Sequence, residues 1–177
     1  MKIERKNNNL ILFLSGFIYI LAGLAILLFP FKEAYYNVLV LSVVICIVGI
    51  LLIFSYLINK KWFFKPGWIL SQGMFCVVIA VMFFLKNYNM LIDNIPMVLA
   101  FWALLSAVTQ ITTSIQIKYL QFQKWQRLFI AGVANLVIFA FLLINPFSEV
   151  FTDVMLTCYY MIFSALTLLA EPFSYNK

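Results

Sequence analysis

The chain has 177 residues, of which 66% are hydrophobic and 10% charged, with a formal net charge of +6. So few charges, gathered in short clusters rather than along helix faces, cannot give a soluble domain its polar exterior, so a soluble helical bundle is excluded. The basic excess does not mark a nucleic-acid partner either, because the Lys and Arg residues fall where apolar runs end, and topology explains that pattern. Histidine is absent, which removes the commonest general base and metal ligand. Cys46, Cys76 and Cys158 lie inside apolar runs with no close-spaced pair. They read as small packing residues rather than disulfide partners or metal ligands.

In chain order, Met1 to Asn9 is a polar lead carrying Lys2, Glu4, Arg5 and Lys6. Leu10 to Phe29 is longer than the apolar core of a secretory signal and is followed by no clear small-x-small cleavage site. It is therefore expected to be a retained first span. Pro30 ends it, since proline cannot continue a helix and sets up a turn. The second span is expected from Tyr36 to Ile58, ending at Asn59-Lys60-Lys61, and the third from Trp68 to Leu85. The fourth runs from Pro96 to Ile117, followed by a basic loop with Lys118, Lys124 and Arg127. The fifth runs from Leu128 to Ile144 and is ended by Asn145-Pro146; the sixth runs from Val154 to Ala170.

Charge sets the expected orientation. The lead, the loops after spans two and four, and the tail hold ten of the twelve Lys and Arg residues. The remaining loops hold Lys32 and Lys86 with four acids, Glu33, Asp93, Glu149 and Asp153. Positive residues stay inside, so both termini are expected on the cytoplasmic side of the membrane. Trp62, Trp68 and Trp125 fall near the inner boundary, where amphipathic rings prefer to sit.

The spans repeat. Gly16, Gly73 and Gly132 stand 57 and 59 residues apart, each near the start of an odd-numbered span. Fourteen residues further on lie Pro30, Asn87 and Pro146 at helix ends; thirty-three further on lie Gly49, Ser106 and Ala165, all small. The expected fold is therefore all-α and polytopic, with six transmembrane helices as three tandem two-helix repeats, about 10–58, 68–117 and 128–170. It forms a single membrane domain with approximate three-fold symmetry. Gly16, Gly23, Gly49, Gly73, Ser106, Gly132 and Ala165 are expected at helix contacts, because small residues let backbones approach where lipid supplies no hydrophobic drive. Glycines lining a central path are the alternative.

The pattern of Gly16, Gly23, Pro30 and Gly49-Ile50, then Gly73 and Trp102, then Trp125, Gly132 and Pro146, resembles the HdeD family. The resemblance runs over about residues 10 to 170. Asn87 replaces the second-repeat proline, and Ser106 and Ala165 replace glycines. It implies a small six-span bacterial inner-membrane protein, linked through the family's name-giving member to acid resistance, with no established catalytic residues.

No Asp, Glu, Lys or Arg lies in the middle of a span, which argues against a proton relay or ion-coupled transporter. Without histidine or buried carboxylates there is no acid–base pair, and an enzyme is not expected. No metal or other cofactor is expected. Tyr19, Cys76 and Asn135 occupy equivalent repeat positions and are expected at one level of the bundle, as interhelical hydrogen-bonders or as part of a solute site. The run from Thr109 to Ser114 can bond back to its own helix. Glu149 and Asp153 could respond to acid, or simply begin the sixth helix, where acids are favourable. The expected function is non-enzymatic, in acid or envelope stress, with a passive channel or transporter for a small neutral solute as the alternative. The partners expected are membrane lipid, and a second copy or another membrane protein.

Overall fold

The computed structural model describes residues 2–29, 34–58, 67–85, 95–121, 125–144 and 153–170. They form six helices: α1 (Lys2–Leu28), α2 (Ala34–Ile58), α3 (Gly67–Leu85), α4 (Ile95–Tyr119), α5 (Trp125–Ile144) and α6 (Asp153–Ala170). Each expected span corresponds to one helix, the first stopping at Leu28, one residue before the expected Phe29. Pro30, Pro146 and Glu149 lie outside the described residues.

Two stretches differ. Lys118 and Arg127, expected in the basic loop after the fourth span, lie in the last turn of α4 and at the start of α5. The polar lead is not a separate segment, because α1 already begins at Lys2. Lys, Glu and Arg are good helix formers, and a helix nucleated in the apolar run propagates back through them at little cost.

Five helices carry segments long and apolar enough to cross a membrane: Leu10–Leu28, Tyr36–Ile58, Gly67–Phe84, Pro96–Tyr119 and Trp125–Ile144. The apolar part of α6, Met155–Ala170, is shorter. Their outward faces are as apolar as their inward ones. On α1, Leu12, Ser15, Gly16, Tyr19, Gly23 and Ile26 are buried, while Phe13, Leu14, Phe17, Leu21, Leu24 and Leu28 are exposed. Large apolar side chains standing outward along every helix are costly in water and at home in hydrocarbon. The chain is a multi-pass membrane protein.

Three helix pairs are packed most closely: α2 with α3, α4 with α5, and α1 with α6. Each has a glycine at its contact. A Cβ on Gly73 would stand 2.9 Å from the Gly49 carbonyl oxygen and 3.1 Å from the Ile53 nitrogen; one on Gly49 would stand 2.9 Å from the Gly73 oxygen. On α5, a Cβ on Gly132 would meet Ile111 Cγ1 at 2.6 Å and the Ala107 oxygen at 3.2 Å. On α1, one on Gly16 would meet Leu169 Cγ at 2.8 Å and the Ala165 oxygen at 3.1 Å, and one on Gly23 the Cys158 oxygen at 3.3 Å. Since Gly16 faces residues 165–169 and Gly23 faces 158–162, α1 and α6 run antiparallel. By contrast, α5 and α6 touch only sparsely.

Hydroxyls within the helices are mostly satisfied locally. Thr109 donates to the Leu105 carbonyl, Thr112 to Val108 and Ser114 to Ile111, each at 2.7 Å. Such back-bonding removes these groups from any apolar surroundings at no tertiary cost. Trp68, expected near the inner boundary, is buried against its neighbours at the start of α3. Trp125 is half-buried, with the Lys118 ammonium 4.7 Å from its ring and Phe129 edge-on at 6.0 Å.

Candidate functional site

The interior of the bundle holds a layer of neutral polar side chains drawn from five helices. Its spine is on α4, where Trp102, Ser106 and Gln110 follow one another at four-residue spacing, so they share a helix face. All three are buried. Cys76 and Gln72 present the same spacing on α3, and Tyr19, Asn135 and Tyr160 come from α1, α5 and α6.

Ser106 Oγ donates to Gln72 Oε1 at 2.6 Å. The Tyr160 hydroxyl stands 3.2 Å from Asn135 Oδ1 and 3.4 Å from Ser106 Oγ; its one proton serves one of them at a time. Asn135 uses both hydrogens of its Nδ2, donating to Gln110 Oε1 at 3.0 Å and to the Ala131 carbonyl at 3.2 Å. The amide of Asn135 is thus engaged at both ends, as a group in low dielectric must be. On the other side of the layer, the Tyr19 hydroxyl and Cys76 Sγ share a hydrogen bond of 3.2 Å.

Trp102 joins the two halves. Its ring is edge-on to Tyr160 at 5.0 Å and to Tyr19 at 6.4 Å, distances at which the positive ring edge meets a π face. Its Nε1 is the one buried side-chain nitrogen or oxygen without a hydrogen-bond partner among the described residues. A donor left unpaired in a membrane interior is destabilising.

The three repeat-equivalent residues therefore stand in one cluster but not in one contact: Tyr19 meets Cys76, while Asn135 meets Tyr160 and Gln110. Ser106, grouped with the glycines by spacing, is also a hydrogen-bond donor in the centre. In the sequence Trp102 stands out only as part of a family pattern; the signal for its role was its four-residue spacing from Ser106 and Gln110 on one helix face. Asp153 opens α6, apart from this layer in sequence, and Glu149 lies outside the described residues. The cysteines are free thiols. Among the described residues, no group of three or more Cys, Asp or Glu could hold a metal ion. What the layer offers is hydroxyl, amide, thiol and indole, so it can donate to and accept from a neutral polar group.

Residues 14–85 match a family model described as a short repeat of unknown function (DUF308), the family to which HdeD-like membrane proteins belong. The match runs from α1 through α3, less than half of the chain. No curated protein and no solved structure matches.

Proposed function

We propose that the chain is a six-span, three-repeat membrane protein of the HdeD-like type, non-enzymatic, and active in acid or envelope stress resistance. Its place would be a bacterial inner membrane, with both termini cytoplasmic. The observation that carries this architecture is the placing of the three glycine contacts. Gly16, Gly73 and Gly132 occupy equivalent positions, and each packs on the second helix of the preceding repeat: Gly73 on Gly49 of α2, Gly132 beside Ala107 of α4, and Gly16, closing the circle, on Ala165 of α6. The antiparallel run of α6 along α1, from Gly16 to Gly23, supports a sixth span although its apolar part is short. The match to the short-repeat family over α1 to α3 supports the HdeD-like reading. The charge asymmetry between alternate loops supports the orientation.

The stress role rests on the resemblance, and the non-enzymatic role on a polar layer whose members mostly engage one another. The test is cytoplasmic pH after an abrupt external acid shift, in deleted and complemented cells. A faster fall without the protein is expected, and identical traces would remove the acid-stress assignment.

One observation favours a second reading. The unpaired Trp102 Nε1, among amides and hydroxyls, is the kind of donor that a neutral solute could use in passage. Flux of small neutral solutes into liposomes, reduced by Asn135→Leu, is then expected. Absence of flux across such a panel would leave the layer as structural.

A further inference from the structure

The α4–α5 hairpin carries its charge at one end and in one sign. Between Asp93 and Glu149 the sequence holds no acid, and its three basic residues, Lys118, Lys124 and Arg127, fall within ten positions. α4 closes at Gln121, whose φ of 60° ends the helix and whose N–H bonds back to the Lys118 carbonyl at 3.0 Å. α5 begins at Trp125. Lys118 and Trp125 therefore meet across the turn, with the ammonium 4.7 Å from the ring centre. That contact uses the π cloud and no hydrogen-bond acceptor, so it leaves N–H donors of the ammonium for an anion. Helix electrostatics accounts for Lys118, because a cation suits a helix C-terminus. It does not account for the exposed Arg127, in the first turn of α5, where a cation is unfavourable and no acid offsets it.

The same end of the hairpin presents apolar and aromatic surface. Tyr119 is 83% exposed and Ile130 66%, and the half-exposed Phe129 stands edge-on to Trp125 at 6.0 Å. Basic groups within a turn of lipid-facing side chains lie at head-group depth. A soluble acidic protein would reach the charges but leave Phe129 and Ile130 uncovered, and a free phosphate would do the same. We propose that this end of the hairpin binds an anionic phospholipid. Its phosphate accepts hydrogen bonds from Lys118 and Arg127, and its chains lie along Phe129 and Ile130. The site requires that the chain cross the membrane, but neither the acid-stress reading nor a particular orientation.

The test is native mass spectrometry of the full-length protein released from nanodiscs that hold equal amounts of phosphatidylglycerol and phosphatidylcholine with identical chains. Retained lipid is expected to be enriched at least tenfold in phosphatidylglycerol. Lys118→Gln and Arg127→Gln should each lower that enrichment about fivefold, the worth of one basic residue at a membrane surface. Trp125→Leu, which keeps every charge, should lower it about threefold through the lost cation–π contact. Lys32→Gln combined with Lys86→Gln removes two charges from other loops and should leave the enrichment unchanged. Equal retention of the two lipids would overturn the proposal, as would an equal loss from the Lys32 and Lys86 changes. Displacement of the lipid by inorganic phosphate would make this a solute-anion site, and displacement by polyglutamate a protein-docking site; either result overturns the lipid assignment. Failure here leaves the acid-shift experiment untouched, because that experiment reads cytoplasmic pH and not lipid retention.

Discussion

At the scale of single residues, the interior is held by hydrogen bonds whose worth in a membrane is limited, because the unfolded chain in lipid also finds partners. Asn135 is the most connected of them, bonding Gln110, Tyr160 and the Ala131 carbonyl. Its replacement by alanine leaves the Tyr160 hydroxyl and the Gln110 carbonyl each short of a partner. A double-mutant cycle of Asn135→Ala with Tyr160→Phe should therefore return a coupling of about 0.6 kcal/mol and no more than roughly 1.7 kcal/mol. Unfolding in mixed detergent micelles measures it. Coupling near zero would mean the 3.2 Å contact is not formed in the membrane. The exposed Thr112, whose hydroxyl bonds its own helix, gives the contrast: Thr112→Val should change stability by less than about 0.5 kcal/mol.

At the scale of helices, backbone proximity decides what can be changed. Gly73 and Gly49 face each other across α2 and α3 with backbone on both sides, so no side chain can move aside to admit a methyl group. Gly73→Ala is expected to cost about 1–3 kcal/mol through forced separation of the pair, and Gly73→Leu to prevent assembly. Gly67, at the start of the same helix, would have nothing within 4 Å of an added Cβ. Gly67→Ala should be neutral or stabilising by up to about 1 kcal/mol, from the better helix propensity of alanine. Thermal unfolding in detergent measures both. Equal losses at the two positions would show that the glycines matter for the backbone itself rather than for helix approach. At Gly16 the nearest atoms belong to the Leu169 side chain, so Gly16→Ala should cost less than Gly73→Ala.

At the scale of the whole molecule, the first helix packs along the last, while α5 and α6 touch only sparsely. Closure between the first and last helices means that loss of α6 uncovers the Gly16–Gly23 face of α1 and the Tyr160 junction of the polar layer at once. A chain truncated before α6 is expected to reach the membrane but to be degraded rapidly, as pulse-chase labelling would show. Topology is checked by cysteine labelling from outside the cell in a background with Cys46, Cys76 and Cys158 replaced by alanine. Cysteines placed at Lys6 and Asn176 should both be shielded, and one placed at Asn89 should react. Labelling at only one terminus would require an odd number of spans.

The membrane class, the number of helices and nearly all their limits were legible in the sequence, because apolar run length, proline and charge clusters act locally on the chain. The exceptions were the lead before Leu10 and the basic residues Lys118 and Arg127, since helix propagation from the apolar runs carried through them. Which faces meet was not legible. In lipid an outward Leu14 is as apolar as an inward Leu12, so the amphipathic period that marks the core face of a soluble helix is lost. Spacing could bring Tyr19, Cys76 and Asn135 to one level, and small residues could mark where helices touch. Only the tertiary structure decided that Tyr160, Ser106 and Gln110 complete the layer, that Trp102 stands at its centre with an unpaired donor, and that α5 and α6 stand apart. Those outcomes depend on how helices distant in sequence rotate and pack against one another, and no local pattern of residues encodes that rotation.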